Sequence, residues 1–234
     1  MWVVHLGTQR RRRWAAVVAA IGVLGLVRWG LHTEGAGLGT ARVPSVIAQL
    51  RVPTDMLALT ADLRTGTPDL GPALEQGLEA ESLEATFFIS PNYAASHTAF
   101  LHALVTAGNE VDVLAPGAPD GPISHWAAVV GASSGVRPLF LRPRTLPAGT
   151  ALLRSAAAAG LGVVSWSHQL DLGAPLADQL APGAVLRLPS TPLGTQGLAA
   201  LAQALEQGGF ASVTLADLVA TSEGGAGLIL PATP

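Results

Sequence analysis

Apolar and polar positions alternate in blocks along most of the chain. Short apolar runs lie at 56–61, 85–90, 109–114, 138–142, 161–166, 183–188 and 211–215, lengths that suit buried strands. Between most of them, apolar residues recur with the 3.6-residue period of a helix, clearest at 69–82, 94–107, 148–160 and 193–208. Gly108, Gly160 and Gly208–Gly209 stand where helix C-caps belong. Strand–helix alternation predicts an α/β fold, a parallel sheet or barrel covered by helices. In an open sheet and a closed barrel alike, working side chains sit at the C-terminal ends of strands. Asp62, Leu114, Arg142, Ser167 and Pro189 fall at such ends or just past them.

The front of the chain follows another pattern. Residues 1–13 end in the basic run Arg10–Arg13, and an uninterrupted apolar run follows from Trp14 to Val27. As a helix that run spans about 21 Å, short of the roughly 30 Å hydrocarbon core of a bilayer. Continued through Leu31 it reaches about 27 Å if Arg28 snorkels toward the headgroups. Residues 14–31 therefore read as a transmembrane anchor, with Trp14 and Trp29 near the interfaces and the Arg cluster in the cytoplasm. A cleaved signal peptide is the second reading, although no clean small-x-small site follows. A buried core helix is the third, and the preceding Arg block argues against it. The first two place the remaining chain outside the cytoplasm, as a single-pass membrane protein or as a secreted one. Residues 32–53, rich in Gly, Ala and Pro, read as a linker, 54–221 as the folded domain, and 222–234 as a loose tail.

Composition narrows the chemistry. Hydrophobic residues make up 49% of the 234, too many for a disordered chain. Cysteine is absent, which excludes disulfides, thiolate metal sites and a cysteine nucleophile. Residues 32–234 hold 8 Arg against 16 Asp and Glu, so nothing in the body resembles a phosphate-tracking surface, and nucleic acid is excluded as the expected partner. Phosphate-binding glycine loops, serine-elbow motifs, metalloprotease helices and internal repeats are all missing from the sequence.

Three segments carry a family resemblance. "LALTADLRTGTPDLGPALEQGLEAESLEATFFISPNYAASHTAFLHALVTAGNEV" is similar to the front half of the polysaccharide deacetylase (NodB-homology) domain. "LFLRPRTLPAGTALLRSAAAAGLGVVSW" and "PGAVLRLPSTPLGTQGLAALAQALEQGGFASVTLADLV" resemble its back half, in order and over roughly residues 54–220. The resemblance implies a distorted, incomplete (β/α) barrel. It also implies metal-assisted removal of acetyl groups from glycans. There an Asp is the base, a second Asp and two His hold a divalent ion (usually zinc), a late His is the acid, and an Arg orients the base.

Carried over by position, the match is partial. Thr60-Ala61-Asp62-Leu63-Arg64 keeps the base as Asp62 and replaces the metal Asp by Leu63. The two metal His fall at Leu114 and Ala118, and the acid at Pro189. Arg142, followed by Pro143, keeps the orienting Arg. Leu and Ala offer no lone pair, so no cofactor or metal is expected where active relatives hold zinc.

The surviving pair, Asp62 and Arg142, supports two readings: a carboxylate–guanidinium pair that stabilises the fold, or a polar grip on a sugar or peptide edge. His125 and His168 are the histidines placed nearest the strand ends, and a lone His is more often structural than a ligand. Asp112 shares strand parity with Leu114, so a rebuilt site from Asp62, Asp112 and His125 is a third arrangement to test. Trp126 and Trp166 offer either core packing or a stacking face for a sugar; Arg144 reads as a solvated loop charge. The expectation is a membrane-anchored, metal-free pseudoenzyme that binds envelope glycan or scaffolds. The alternative is an active hydrolase that deacetylates polysaccharide through a non-standard site.

Overall fold

The structure, a computed structural model, describes residues 46–65, 70–116, 121–191 and 194–222. The expected anchor at 14–31, Ala118 and the tail after 222 lie outside the described residues. Among the described residues no helix is long and apolar enough to cross a membrane.

Among the described residues nine strands form one sheet: β1 (Val46–Ile47), β2 (Met56–Leu63), β3 (Ala85–Ile89), β4 (Glu110–Leu114), β5 (Phe140–Arg142), β6 (Gly162–Val164), β7 (His168–Gln169), β8 (Val185–Arg187) and β9 (Ala211–Val213). Their order is β1-β6-β5-β4-β3-β2-β8-β7, with β9 also on β2, and the strand pairings are parallel. Every run expected to be a strand is one. The sheet curls into an incomplete barrel, and helices cover its outer face. They are α1 (Gly71–Glu81), α2 (Pro91–Ser96), α3 (Thr98–Thr106), α4 (Ile123–Ser134), α5 (Thr150–Ala158), α6 (Gly194–Gly208) and α7 (Leu215–Thr221).

Strand alternation sorts the side chains into two cores. On β2 the odd residues Leu57, Leu59, Ala61 and Leu63 face the helices and join the larger core with Phe87, Ile89, Val111, Val113 and Leu141. The even residues face the barrel interior, where Ala58 packs with Phe88, Leu114, Phe140, Val164 and Val185. Because both faces are covered, these strands read as continuous apolar runs. Helix ends follow local chemistry. Pro72 and Pro91 sit in the first turns of α1 and α2, where a missing N–H costs nothing. Ser82 closes α1 in the left-handed region (φ 56°), with its N–H on Glu79 O and the Leu83 N–H on Leu78 O.

The start of the barrel corrects the sequence reading. Residues 32–53 read as a linker, yet Val46–Ile47 is a sheet strand beside β6. Ser165 N–H donates to Ile47 O (2.7 Å) and Leu50 N–H to Gly183 O (2.9 Å), while Gln49 bridges Ala184 just ahead of β8. Residues 46–50 thus cross the gap between β6 and β8 and partly close the barrel. Ala48 and Leu50 are buried there. Gly183 adopts φ 71°, and a Cβ on it would strike the Leu50 carbonyl, so this crossing requires glycine.

The opposite, N-terminal end of the barrel is closed by polar bonds. Thr86 Oγ1 donates to Glu110 Oε2 (2.8 Å), which also accepts the Ala216 N–H (3.1 Å), and Thr86 Oγ1 accepts the Leu215 N–H (2.8 Å). These bonds seat the first turn of α7 against β3 and β4.

Candidate functional site

A cleft of about 510 Å³ opens over the C-terminal ends of the strands. Asp62 of β2, Leu114 of β4, Trp166 after β6 and Arg187 of β8 all line it.

Asp62 stands at its floor. Arg142, at the end of β5, is fully buried and donates from Nη1 to Asp62 Oδ1 at 2.8 Å. To span from β5 to β2 its guanidinium lies across the Phe88 ring, 3.9 Å from the centroid. Its Nη2 donates to Ser165 O at 3.1 Å. Burial lowers the Arg142 pKa, and the Asp62 carboxylate opposes that shift, so the group remains a cation.

Sequence reasoning missed a second guanidinium. Arg187 Nη2 forms an ion pair with Asp62 Oδ2 at 2.9 Å, and its guanidinium rests on the Trp166 ring, 4.6 Å from the centroid. The signal was strand parity: Val185 and Arg187 alternate on β8 and Pro189 follows just past its end in the same parity, so Arg187 shares the cleft side with the position expected of the acid. Both oxygens of Asp62 are thus engaged by positive charge.

The remaining expected positions are clear. Leu63 and Leu114 are nearly buried and form part of the cleft wall. Pro189 lines the cleft and carries no titratable group. Leucine side chains hold no donor for zinc, and the described residues include no group of three His, Asp or Glu that could hold a metal ion. The family's zinc does not fit the residues present. Asp112, His125 and Asp62 do not come together as a rebuilt site. Asp112 is fully buried in the barrel, where Oδ1 accepts the N–H groups of Leu139 (2.8 Å) and Phe140 (3.0 Å), and His125 lies exposed on α4. His168 is half-buried on β7 and does not line the cleft. Trp126 packs in the outer core, while Trp166 reaches the cleft under Arg187. Arg144 is exposed at the cleft rim.

No protein-family model and no curated protein matches the sequence. Solved structures do match in fold. A family 4 carbohydrate esterase from Streptomyces lividans superposes with a TM-score of 0.63 at 23% identity, over 73% of this chain and 97% of that one. A family 4 pseudoenzyme from Bacillus anthracis gives 0.62 at 18%, over 75% and 69%. A peptidoglycan N-acetylglucosamine deacetylase gives 0.61 at 18%, over 75% and 92%. The chain therefore has the polysaccharide deacetylase fold, as the sequence resemblance implied. Its cleft combines that fold with a carboxylate clamped between two arginines.

Proposed function

We propose that the chain is a metal-free pseudoenzyme of the polysaccharide deacetylase family, which binds glycan or scaffolds in the cell envelope. The observation that carries this reading is the doubly engaged Asp62, at the base position that the resemblance assigns, beside Leu63 and Leu114. A deacetylase of this type needs a free carboxylate to take a proton and a metal to polarise the acetyl carbonyl. Here the carboxylate is spent on ion pairs and the neighbouring side chains are hydrocarbon. Asp62 and Arg142 keep their places as a structural pair, and the polar cleft above them serves binding. That one of the similar folds is itself called a pseudoenzyme supports the reading.

The decisive measurement is metal content of the purified protein alongside deacetylation of acetylated amino-sugar oligomers. The reading expects less than stoichiometric zinc and no acetate release. Acetate release that Asp62→Asn abolishes would instead establish the alternative, an active hydrolase with a non-standard site.

We also propose that residues 14–31 anchor the protein in the cell membrane with the domain outside the cytoplasm. Arg10–Arg13 before the apolar run is the support. Neutralising the four arginines should weaken or invert the orientation, read by protease accessibility of the domain in intact cells. Intact protein found in the soluble cytoplasmic fraction would contradict the anchor.

A further inference from the structure

We propose that the cleft takes an anionic saccharide, a short glycan segment bearing carboxylate or phosphate groups, and that Arg187 and Arg144 meet its charge. This inference rests on the glycan-binding reading and adds the charge of the ligand to it.

The body of the protein is acidic, with 8 Arg against 16 Asp and Glu in residues 32–234. The cleft reverses that balance. Arg64, Arg144 and Arg187 line it, Arg142 lies directly behind Asp62, and Asp62 is the sole acid among the described lining residues. Half of the body's arginines therefore gather at one opening.

Fold support accounts for only part of this. Neutralising Asp62 takes one guanidinium, and fully buried Arg142 already supplies it. Arg187 brings a second positive charge to the same carboxylate, which leaves the three groups with a surplus of one. A surplus cation in a partly dry site is costly unless an anion completes it. Arg187 is 22% exposed and held against Trp166, and its Nη1 has no partner among the described residues. A planar guanidinium fixed in this way presents its free edge to a carboxylate or phosphate, the planar fork being matched to both. Arg144 stands at the rim without an acid partner among the described residues, placed to steer or hold a second anionic group.

Size and surroundings restrict the ligand. A cleft of about 510 Å³ suits a few sugar units, and the acidic body outside it repels a long polyanion such as nucleic acid. A locally charged saccharide satisfies both constraints.

The test is calorimetric titration of the full chain in detergent with three probes: an oligogalacturonate, a mannose 6-phosphate oligosaccharide and a neutral N-acetylglucosamine tetramer. One of the acidic probes should bind about tenfold or more tighter than the neutral one, the order expected of one charge-assisted hydrogen bond. Which acidic probe wins tells carboxylate from phosphate. Its affinity should fall between about 50 mM and about 300 mM salt. Arg144→Gln, a surface change that spares the fold, should weaken the acidic probe several-fold and leave the neutral one unchanged. Arg187→Gln should do so more strongly. Equal, salt-insensitive binding of all three probes would overturn the anionic assignment and leave the glycan reading standing. Binding of none would overturn both.

Discussion

Replacing Asp62 by Asn would leave Arg142 and Arg187 beside each other with no carboxylate between them. Arg142 is fully buried, so stranding its charge should cost about 3–5 kcal/mol. Arg187→Gln removes the partly exposed partner together with the surplus charge and leaves the buried pair intact, so stability should change by no more than about 1 kcal/mol. The double variant should be more stable than the sum of the single losses implies, because the repulsion exposed by the first change is relieved by the second. Chemical denaturation of the four proteins measures this directly; strictly additive losses would show that Asp62 and Arg187 do not interact. A second residue-scale prediction concerns Asp112. Burial above all, and then the neighbouring Glu110 charge, push its carboxyl well above its ordinary value of 3.8, and burial also raises Glu110. The folded protein holds this proton more tightly than the unfolded chain. The contribution is therefore fully present below 3.8 and is lost as pH rises through the raised folded value. Asp112→Asn keeps the acceptor for Leu139 and Phe140 N–H and has nothing to ionise. Its melting temperature should fall less than that of the wild type as pH is raised; parallel profiles would contradict the assignment.

Between elements, the tightest constraint lies where the chain passes from residue 50 across to the start of β8. Gly183→Ala would place a methyl against the Leu50 carbonyl and hold a left-handed residue at a cost of about 1–2 kcal/mol before the clash is counted. The expected result is a clear drop in melting temperature, and an unchanged one would mean that residues 46–50 do not cross here. The same region shows where sequence reading reaches its limit. Seven of the nine strands among the described residues were legible because each falls in an apolar run, and all but β9 are largely buried on both faces. β1 and β7 are two-residue strands, too short for any period to register, and β1 sits among Gly, Ala and Pro residues that read as a linker. Helix α4 buries Ile123, Trp126 and Val130 at helical spacing, but Ser133 and Ser134 are buried as well and Ala128 and Ala132 are exposed, so polar contrast is weak. Helix α7 starts inside the apolar run 211–215: β9 ends at Val213, and Leu215, the last residue of the run, already opens the helix. At the site, Asp62 and Arg142 were found because each closes a strand in a segment that resembles the family. Arg187 was missed because no family position marks it; only parity on β8 does.

For the whole molecule, these observations move the working boundary of the domain. A protein trimmed to begin at residue 54, where the family resemblance starts, would lose β1 and the buried Leu50, whose side chain alone contributes about 1.5–3 kcal/mol. It would also uncover the interior cluster of Ala58, Phe140, Val164 and Val185. Such a protein should melt lower and aggregate more readily than one beginning at residue 43, as compared by light scattering during a thermal ramp; equal behaviour would show that the crossing is dispensable. The crossing has a mechanical side as well. A pull arriving at Val46 from the preceding chain meets the Ser165–Ile47 and Leu50–Gly183 hydrogen bonds before it reaches β2. Residues 46–50 thus act as a clasp that bears load first and can yield while the central strands stay paired. The floor of the cleft, built on β2, β5 and β8, would feel such tension last on the β2 side and earliest through β8, where Arg187 stands.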